Sequence, residues 1–595
     1  MRKFLKFFFI AAMSLSTASF VSSCDDDNET LNPAAEIGIT NQSWDLSNTI
    51  TADGQGGTIN LTFTAAGTWK ASCGDQWCKI TPTSGREGNS QLTVTLERNT
   101  TGAQRTATVM IRIESTGKSL LIKIVQGTTT QGGDGTYTSV NEWMFNYMKE
   151  KYLWNEPLQT LQPDKSLSYD KFLTSVLDAV DADNHRNRDD GHWVNGKREY
   201  YYSFIESDAP VSKSAGEEET GSGITYMELA QISNTAYAIL PAMVAPGTPA
   251  AQAGIKRGDI IIKVNNTALT STNLSNLANR VYDGGVTVTL GEPQFDDEGY
   301  LTSITTGSTI SLASATYTDP AIYQSSVLEL SGGKKAGYLA YMGFHTSYDA
   351  QLIDIFNQFK SQGITDLILD LRYNGGGHVL SSVLLATLIT GDAYKGQLYS
   401  RTTYNAARAA KGEVGEYRLG TASTPEGNYS KLTEALSASV NLKTIYVITS
   451  ENTASASELI INGLRGLDLT VNLIGTTTNG KNVGMEAMQS TIGNYTYLFA
   501  PITFYSENAK GFKDYADGFT PDVEFDDSQY LLGDFGTSDD ILSKIAFLWI
   551  VNGNKPNLSM SRANTFGTTV RKIKSKSDRT PVQYNGMIAF PEDKN

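Results

Sequence analysis

The most constraining feature of this sequence is a buried strand that runs into three consecutive glycines and then into an apolar helix. The stretch DLILDLRYNGGGHV places an apolar strand at 367–371 and the glycines at 375–377, and an apolar run predicts a helix over 379–390. A strand followed at once by a helix is the repeating unit of α/β proteins, in which helices cover parallel strands. The pattern therefore predicts an α/β core, which we extend over residues 300–550.

The three glycines expose backbone N–H groups at the start of the predicted helix. Such a turn binds anions in principle, because the N–H groups and the helix dipole favour negative charge. The stretch lacks the Lys-Ser/Thr pair of a phosphate loop, which disfavours a nucleotide site. The alternative interpretation is an oxyanion hole, in which these N–H groups face the charge that develops during acyl transfer.

Hydroxyl side chains are concentrated in SENTASASELIINGLRG, residues 450–466, after a second buried strand predicted over 443–450. The hydroxyls belong to Ser450, Thr453, Ser455 and Ser457. They precede an apolar run at helical spacing, so any of them could cap the helix by accepting from an N–H group of its first turn. Alternatively, one of them is a nucleophile held at the positive end of the helix.

A base for such a nucleophile is not supplied by a histidine close in sequence. The stretch GTTTNGKNVG instead places Lys481 in a loop bounded by glycines. A lysine can act as base when burial and a helix N-terminus destabilise its ammonium form, and serine–lysine pairs are a known variant of acyl transfer. The chain has four histidines, of which we interpret His345 and His378 as structural or substrate-contacting.

Residues 37–127 alternate apolar and polar side chains with period two, as in 59–63 and 92–96. Runs of this kind, separated by turn residues, predict an antiparallel β-sandwich. Cys73 and Cys78 lie in this segment without a metal-ligand pattern. They permit a disulfide in an exported protein, or they are two small buried residues.

The region between the sandwich and the α/β core divides into three segments of different sequence pattern. Residues 128–137 have the composition of a flexible linker. Residues 138–220 predict a helical region, with a capping box at Ser139 and Glu142. Residues 221–292 contain GSGITYMEL and PGTPAAQAGIKRGDIIIKVNN, which predict a small β-domain with one short helix.

The two ends of the sequence differ in character. Residues 1–23 have the basic start and short apolar stretch of an export signal, too short for a good membrane span. Cys24 follows directly, and the polar residues 24–36 predict a tether. Residues 551–595 contain eight basic and three acidic side chains, and the sequence assigns them no role. The net charge of −15 argues against nucleic acid as a partner.

The core motifs carry a specific resemblance when they are read together. TASASE followed by GK, with DLRYNGGG upstream, resembles the C-terminal processing (tail-specific) serine proteases over residues 139–550. The resemblance implies a fold of the Clp-protease/crotonase type, with Ser455 as nucleophile and Lys481 as general base. It also implies that the N–H groups of Gly376 and Ala456 form the oxyanion hole, and it implies neither a metal nor a cofactor.

Two departures from the family pattern leave the base open. The family often has a glutamine four residues after the lysine, where this chain has Met485. Related peptidases use a histidine near the position of His185, so a Ser–His pair is the competing mechanism. The competing class is a catalytically idle adhesion or scaffold protein, against which an intact set of catalytic residues argues.

The flanking modules carry resemblances of their own. Residues 221–292 resemble a PDZ domain, which implies a loop that binds the C-terminal carboxylate of a peptide. The loop residues are Gly221, Ser222, Gly223 and Ile224. Residues 37–127 resemble a BACON domain, which implies either a spacer or a contact with glycan or mucin. The stretch VSSC and the acidic residues after it resemble the lipobox and surface-export signal of Bacteroidetes lipoproteins.

These features together predict a multidomain chain. The expected order is an all-β sandwich, a small helical region, a PDZ β-domain and an α/β protease core of the Clp-protease/crotonase type. The expected function is that of a lipid-anchored serine endopeptidase of the cell envelope, at the outer membrane or the cell surface. Its expected partners are polypeptides, presented through their C-terminal tails.

The anchor is tested by replacing one residue. Cys24→Ala should release the protein from membranes, because acyl chains on that residue would supply the apolar surface that holds it there. The measurement is the membrane-bound fraction after a salt wash, compared with the wild-type chain. A variant that still sediments with membranes would show that Cys24 is not the anchor.

Overall fold

The computed structural model describes most of the chain from residue 37 onward. The described residues are 37–39, 49–52, 54, 56–97, 99, 105–126, 136–180, 189, 193–194, 197–198, 201–207, 218–232, 236–297, 301–493, 495–557, 571–573 and 587–589. The chain divides into two compact units, Met1–Thr130 and Gln131–Asn595. The predicted lipidation site, Cys24, and the competing base, His185, lie outside the described residues.

The first unit is an all-β sandwich. Its strands are β1 (Ile37–Ile39), β2 (Thr49–Ala52), β3 (Gly57–Ala65), β4 (Trp69–Cys73), β5 (Cys78–Thr81), β6 (Ser84–Gly85), β7 (Gly88–Leu96), β8 (Arg105–Ile113) and β9 (Ser119–Gln126). They form two sheets, in the orders β1-β3-β7-β5 and β2-β9-β8-β4-β6. The period-two pattern is the cause, since Leu92, Val94 and Leu96 of β7 all point into the core.

The described aromatic side chains of this unit, Phe63, Trp69 and Trp77, contact other side chains of the same unit. Trp69 is buried and packs edge-on against Phe63, with ring centroids 4.9 Å apart. The guanidinium of Arg105 lies 4.1 Å from the ring centroid of Trp77. Cys73 and Cys78 are free thiols. Cys78 is buried and Cys73 is partly buried, and their side chains lie within hydrogen-bond contact of each other.

The second unit begins with the predicted helical region. Its elements are α1 (Thr136–Lys151), α2 (Tyr169–Val180), β10 (Trp193–Val194), β11 (Lys197–Arg198) and β12 (Phe204–Ser207). The helix α1 starts three residues before Ser139, so the capping box expected at Ser139 and Glu142 is wrong. Glu142 instead forms an ion pair with Lys165, at 3.1 Å. Ser139 therefore lies inside α1 and not at its N-terminus, because the helix begins at Thr136, within the segment predicted as a linker.

A twisted antiparallel sheet follows. Its elements are β13 (Glu218–Gly221), β14 (Ile224–Gln231), β15 (Tyr237–Val244), α3 (Pro249–Gln252), β16 (Ile260–Val264), β17 (Thr267–Ala268), α4 (Leu274–Asp283), β18 (Val286–Phe295), β19 (Leu301–Leu312) and β20 (Ala315–Thr318). The main strand order is β19-β18-β16-β15-β14. The sheet continues past residue 292, because β18 forms a long hairpin with β19.

The rest of the described second unit contains two sheets of six strands each, the short β27-β28 hairpin, and strands that pair with β12 and β14. Its elements are β21 (Ile322–Leu330), β22 (Lys334–Tyr341), α5 (Asp349–Gln362), β23 (Asp366–Asp370), β24 (Gly377–His378), α6 (Val379–Thr390), β25 (Leu398–Thr403), α7 (Ala406–Ala409), β26 (Gly415–Arg418), β27 (Ser423–Thr424), β28 (Gly427–Asn428), α8 (Lys431–Ala438), β29 (Thr444–Thr449), α9 (Ala456–Gly466), β30 (Thr470–Gly475), β31 (Val483–Glu486), β32 (Met488–Ile492), β33 (Tyr495–Ala500), β34 (Ile502–Asn508), β35 (Val523–Glu524), α10 (Ile541–Asn552), β36 (Arg571–Ile573) and β37 (Met587–Ala589). The central sheet has the order β21-β22-β23-β29-β30-β35. This arrangement confirms the predicted multidomain fold with an α/β core.

The central sheet positions the motifs found in the sequence. From β22 to β35 its strands are parallel. The helices α5, α6, α8 and α9 cover one face, and α10 packs on the other. The glycine turn follows β23 and the hydroxyl cluster follows β29, which is the neighbouring strand. Because the carboxyl ends of parallel strands meet at one edge of a sheet, the two motifs come together there.

A buried ionic cluster joins this core to the β14–β19 sheet. The guanidinium of Arg372 lies 2.8 Å from the carboxylate of Asp370 and 2.6 Å from that of Asp540. Arg257, in the turn before β16, lies 3.7 Å from Asp540. The two guanidiniums hold the pKa of Asp540 down, at about 2, against the effect of its burial. Asp540 also caps α10, since it accepts a hydrogen bond from the Ser543 N–H at 3.0 Å.

Asp540 is the side chain on which this cluster depends. Asp540→Ala should lower the free energy of unfolding by about 3–5 kcal/mol, because it leaves two buried guanidiniums short of a counter-charge. The control is Glu329→Ala, which removes an exposed ion pair with Lys335 and should cost less than about 1 kcal/mol. Calorimetric unfolding of both variants is the measurement. Equal transition temperatures for the two variants would contradict the role assigned to Asp540.

Candidate active site

Ser455 lies in a strained turn between β29 and α9. Its backbone has φ 61° and ψ −110°, a conformation that residues other than glycine rarely adopt. Such strain persists only where the surroundings hold it. The Ser455 side chain is fully buried, and its Oγ has no hydrogen-bond partner among the described residues.

The other three hydroxyls of the cluster are occupied. Ser450 Oγ donates to the Arg372 carbonyl, Thr453 Oγ1 donates to the Leu371 carbonyl at 2.8 Å, and Ser457 Oγ donates to the Asn374 carbonyl at 2.9 Å. They attach the Ser455 turn to the segment that follows β23. Among these four described residues, only Ser455 has a hydroxyl without a hydrogen-bond partner. The structure therefore distinguishes the candidate nucleophile from its neighbours, a choice that the sequence alone leaves open.

The glycine turn packs directly against Ser455. Gly376 has φ +109°, and a Cβ placed on it would lie 2.9 Å from both the Ser455 Cβ and the Ala456 nitrogen. A side chain there would therefore collide with the Ser455 turn. Ala456 is the first residue of α9, so its N–H group has no acceptor within the helix. The Gly376 N–H donates to Asn374 Oδ1 at 2.9 Å, so it must leave that acceptor before it can stabilise an oxyanion.

Lys481 lies in the loop between β30 and β31. Its side chain is fully buried, and within the described part of the chain its Nζ makes no hydrogen bond. The amine lies 4.4 Å from the ring centroid of Tyr202. Burial lowers the pKa of Lys481 to about 7, while the carboxylates of Asp189 and Glu458 act in the opposite direction. Near neutral pH a substantial fraction of this amine is therefore unprotonated.

One carboxylate ties the Ser455 turn to the Lys481 loop. Glu458 Oε2 accepts the N–H groups of Ser455 and Lys481, at 2.9 and 2.8 Å. Its Oε1 accepts the Thr478 hydroxyl and the Gly480 N–H, at 2.6 and 2.7 Å. Burial raises the pKa of Glu458 to about 7, although all four donors favour the ionised form. We call this arrangement the Glu458 clamp.

The N-terminal helical region closes over the lysine. Asp189 is buried and accepts the Ser203 N–H at 2.8 Å and the Tyr152 hydroxyl at 3.1 Å. Burial raises the pKa of Asp189. Tyr202 donates its hydroxyl to Asn479 Oδ1 at 3.0 Å, which fixes the ring beside the Lys481 amine.

Sequence reasoning missed three of these residues. Glu458 could have been predicted from the sequence, because it lies three residues after Ser455 in TASASE, which is the spacing of the acid in a capping box. No sequence pattern marks Asp189 or Tyr202, because they reach Lys481 from a distant segment. Met485, where the family often has glutamine, is fully buried among apolar side chains.

The described histidines lie beside the glycine turn. His378 follows Gly377 and faces His345, with ring centroids 4.9 Å apart. Burial and the neighbouring imidazole lower the pKa of His378 to about 4. His345 contacts the Ser347 hydroxyl through Nδ1 at 2.6 Å. Burial also lowers the pKa of His345, so it favours the neutral form of both rings.

The predicted carboxylate loop lies at the start of β14, apart from the Ser455 turn. The Ser222 N–H donates to the Tyr282 carbonyl at 2.8 Å, and the Ile224 N–H donates to Ser222 Oγ at 3.2 Å. The remaining loop residues are Gly221, which ends β13, and Gly223, whose φ is +92°. The loop must therefore release internal hydrogen bonds to present all of its N–H groups to a carboxylate.

The described ranges contain neither a metal-ligand cluster nor a membrane-spanning helix. No cluster of three or more His, Cys, Asp or Glu side chains there is arranged to hold a metal ion. No helix there is both long enough and apolar enough to cross a membrane.

Comparison with protein-family models gives three matches. Residues 335–525 match peptidase family S41, and residues 242–291 match a PDZ domain. Residues 67–127 match BACON, described as a candidate N-terminal binding domain. The three resemblances read from the sequence are therefore confirmed.

Two curated relatives match part of the core. A chloroplastic C-terminal processing peptidase of Tetradesmus obliquus is 29% identical over 149 residues, which are 24% of this chain and 32% of that protein. A carboxyl-terminal-processing protease of Picosynechococcus sp. is 27% identical over 146 residues, 24% of this chain and 33% of that protein. The matches thus span about a third of the length of these relatives.

A solved structure supports the fold. A protein from Bacteroides fragilis NCTC 9343, assigned to the S41 proteases, is 25% identical and superposes with a TM-score of 0.53. The alignment covers 69% of this chain and 97% of that one.

The Glu458 clamp generates a prediction about geometry. In Glu458→Gln, one end of the side chain becomes an NH₂ group that faces two donors, because each carboxylate oxygen accepts two hydrogen bonds. The Ser455 turn and the Lys481 loop should separate, and a shift of about 1 Å costs on the order of 100-fold in rate. The measurement is kcat/KM on an unfolded polypeptide.

The matched control for this variant is Glu434→Gln, an exposed acid on α8. Circular dichroism should show both variants folded. A Glu458→Gln enzyme as active as the control would show that the clamp is not needed to align the two groups.

Proposed function

Since its core matches peptidase family S41 over residues 335–525, we propose that this chain is a serine endopeptidase of the C-terminal processing type. It hydrolyses polypeptides through an acyl-enzyme on Ser455, with Lys481 as general base. The observation that carries the proposal is the pair of buried, unpartnered polar atoms, Ser455 Oγ and Lys481 Nζ, on two segments that share one carboxylate. Burying such atoms without partners costs stability, so their presence calls for a functional reason.

The site residues divide the reaction between them. The neutral amine of Lys481 takes the proton of the Ser455 hydroxyl as its oxygen attacks the peptide carbonyl. The negative charge on the carbonyl oxygen is stabilised by the Ala456 N–H and by the Gly376 N–H once it leaves Asn374. The Lys481 ammonium then returns the proton to the leaving amine, and water hydrolyses the ester by the same steps.

The same observations argue against the two alternatives, a histidine base at His185 and a catalytically idle scaffold. A histidine base at His185 would leave the Lys481 amine buried without a function, at the desolvation cost that lowers its pKa. An idle scaffold would have no use for a strained serine and a buried lysine held by one carboxylate. Both rivals therefore leave the most costly features of the site unexplained.

The modules outside the catalytic core would determine the partners and the cellular location of the enzyme. Polypeptide substrates would be delivered through the PDZ domain, whose strand β14 offers an edge for an extended peptide. A lipid at Cys24 would hold the enzyme in the cell envelope, at the outer membrane or the cell surface. The BACON domain would act as a spacer or contact glycan or mucin.

The dyad is tested by two single substitutions. Ser455→Ala and Lys481→Ala should abolish cleavage to about the same extent, because members of one catalytic unit are not additive. Wild-type kcat/KM should rise with pH through about 7, since the reaction needs the deprotonated amine and burial has lowered the pKa of Lys481. Cleavage is followed on an unfolded protein substrate.

The matched controls are Ser437→Ala and Lys510→Ala, at exposed positions of the core. Both should cleave at the wild-type rate. A folded Lys481→Ala enzyme that is still active, beside an inactive His185→Ala enzyme, would establish the Ser–His alternative.

A further inference from the structure

The segment after α10, which the sequence leaves without a role, contributes strands to two separate sheets. We call its two described strands, β36 and β37, together the tail segment. Its strand β36 pairs with β14 of the PDZ domain, and its strand β37 pairs with β24 and β31 of the core. In both places the partner strand belongs to a part of the molecule that handles peptide under the proposed function.

The position of β37 relative to the catalytic residues is the first observation. Met587 is paired with Gly377 on one side and with Gly484 on the other. Gly377 follows Gly376, which packs on Ser455. β31 begins two residues after Lys481. A strand in this position passes the glycine turn on one side and the lysine loop on the other.

The space that β37 fills is a slot one strand wide. Neighbouring strands lie about 4.8 Å apart, so β24 and β31 are separated by roughly 10 Å with their main-chain groups facing inward. The order of this sheet is β24-β37-β31-β34-β25-β26. A slot of this kind binds extended peptides through main-chain hydrogen bonds and is therefore tolerant of side-chain sequence.

The pairing of β36 is the second, independent observation. β36 runs antiparallel to β14, with Ile573 opposite Leu229 and Arg571 opposite Gln231. Its chain direction therefore leads along β14 toward the Gly221–Ile224 loop, which is the direction of a peptide bound by strand addition. A cleft of about 570 Å³ continues from β14 to the residues before Ser455, lined among others by Tyr226, Glu228 and Asn452.

From these two pairings we propose that the slot between β24 and β31 is the site where a substrate polypeptide lies as a strand, and that the tail segment occupies it in the same molecule. The inference rests on the proposed function and names its substrate-binding mode. The occupant is part of the chain, so a substrate must displace β37 before it reaches Ser455. The strand β36 also covers part of the β14 edge, so a peptide that pairs with that part of β14 must displace β36.

The fraction of molecules in which β37 fills the slot determines how much the KM for substrate should change. If β37 fills the slot in nine molecules of ten, the apparent affinity for substrate falls about tenfold, because only the open fraction binds. The effect should appear in KM rather than in kcat, since a displaced strand leaves the catalytic groups as they are.

The test uses the full-length chain with Ile588→Pro. Every N–H of a strand paired on both sides belongs to one ladder or the other, so proline at this position should release β37. The matched control is Ser577→Pro, in the sequence between the two tail strands. Ile588→Pro should lower KM for an unfolded polypeptide about tenfold, and Ser577→Pro should leave it unchanged.

A synthetic peptide of residues 584–595 provides a second measurement. Added to Ile588→Pro, or to a chain ending at Gly553 if that variant does not fold, it should inhibit competitively, whereas a scrambled peptide should not. An unchanged KM for both released variants, together with no inhibition by the peptide, would overturn the proposal and make β37 a permanent structural strand.

A third measurement separates this proposal from the proposed function. Amide hydrogen exchange at 377–378 and 483–486 is compared in Ser455→Ala with and without Ile588→Pro, which requires no catalysis. Faster exchange in the double variant, slowed again by the peptide, supports the slot even if no substrate is cleaved. Equal exchange in both would overturn the slot even if the enzyme is active.

Discussion

The carboxylate of Glu458 holds together two segments that the chain brings from different strands. The Ser455 turn follows β29, and the Lys481 loop follows β30. Four donors from these segments converge on one buried side chain. Because a carboxylate buried without such donors would be expensive, the donors and the acid stabilise one another. The strained backbone of Ser455 is part of the same arrangement, since its N–H group is one of the four.

The electrostatics of the site follow from this geometry. Two carboxylates, Glu458 and Asp189, favour the ammonium form of Lys481, and burial opposes them more strongly. The outcome is an amine whose pKa is about 7. The ring of Tyr202 completes the enclosure and comes from the N-terminal helical region. The helical region therefore contributes to the chemistry of the core.

Much of the fold was accessible to sequence reasoning because its signals are local. The helix predicted over 379–390 is α6, and the strand predicted over 367–371 is β23 shifted by one residue. Apolar runs bounded by glycine report burial directly. The resemblance to a protease family identified Ser455, Lys481, Gly376 and Ala456 as candidates.

What sequence reasoning could not supply depends on long-range packing. The contacts of Asp189 and Tyr202 with the lysine environment join segments nearly 300 residues apart in sequence. The sequence motif also does not predict the hydrogen bond from the Gly376 N–H to the Asn374 side chain. The strand β36 lies in a basic, polar stretch, and β37 lies in a run of only four apolar residues. Both become strands by pairing with edges that are distant in sequence, which the local composition does not indicate.

Burial lowers the pKa of Lys481 to about 7, so about half of the amine is neutral at pH 7, and the proposed mechanism depends on this neutral fraction. Nuclear magnetic resonance of the Ser455→Ala chain, labelled with ¹³C and ¹⁵N in its lysines, reads that protonation state directly. Lys481→Arg assigns the signal by removing it. One lysine signal should titrate with a pKa of about 7. A Lys481 signal that titrates near the ordinary lysine value of about 10.4 would show that burial does not supply a neutral amine near pH 7.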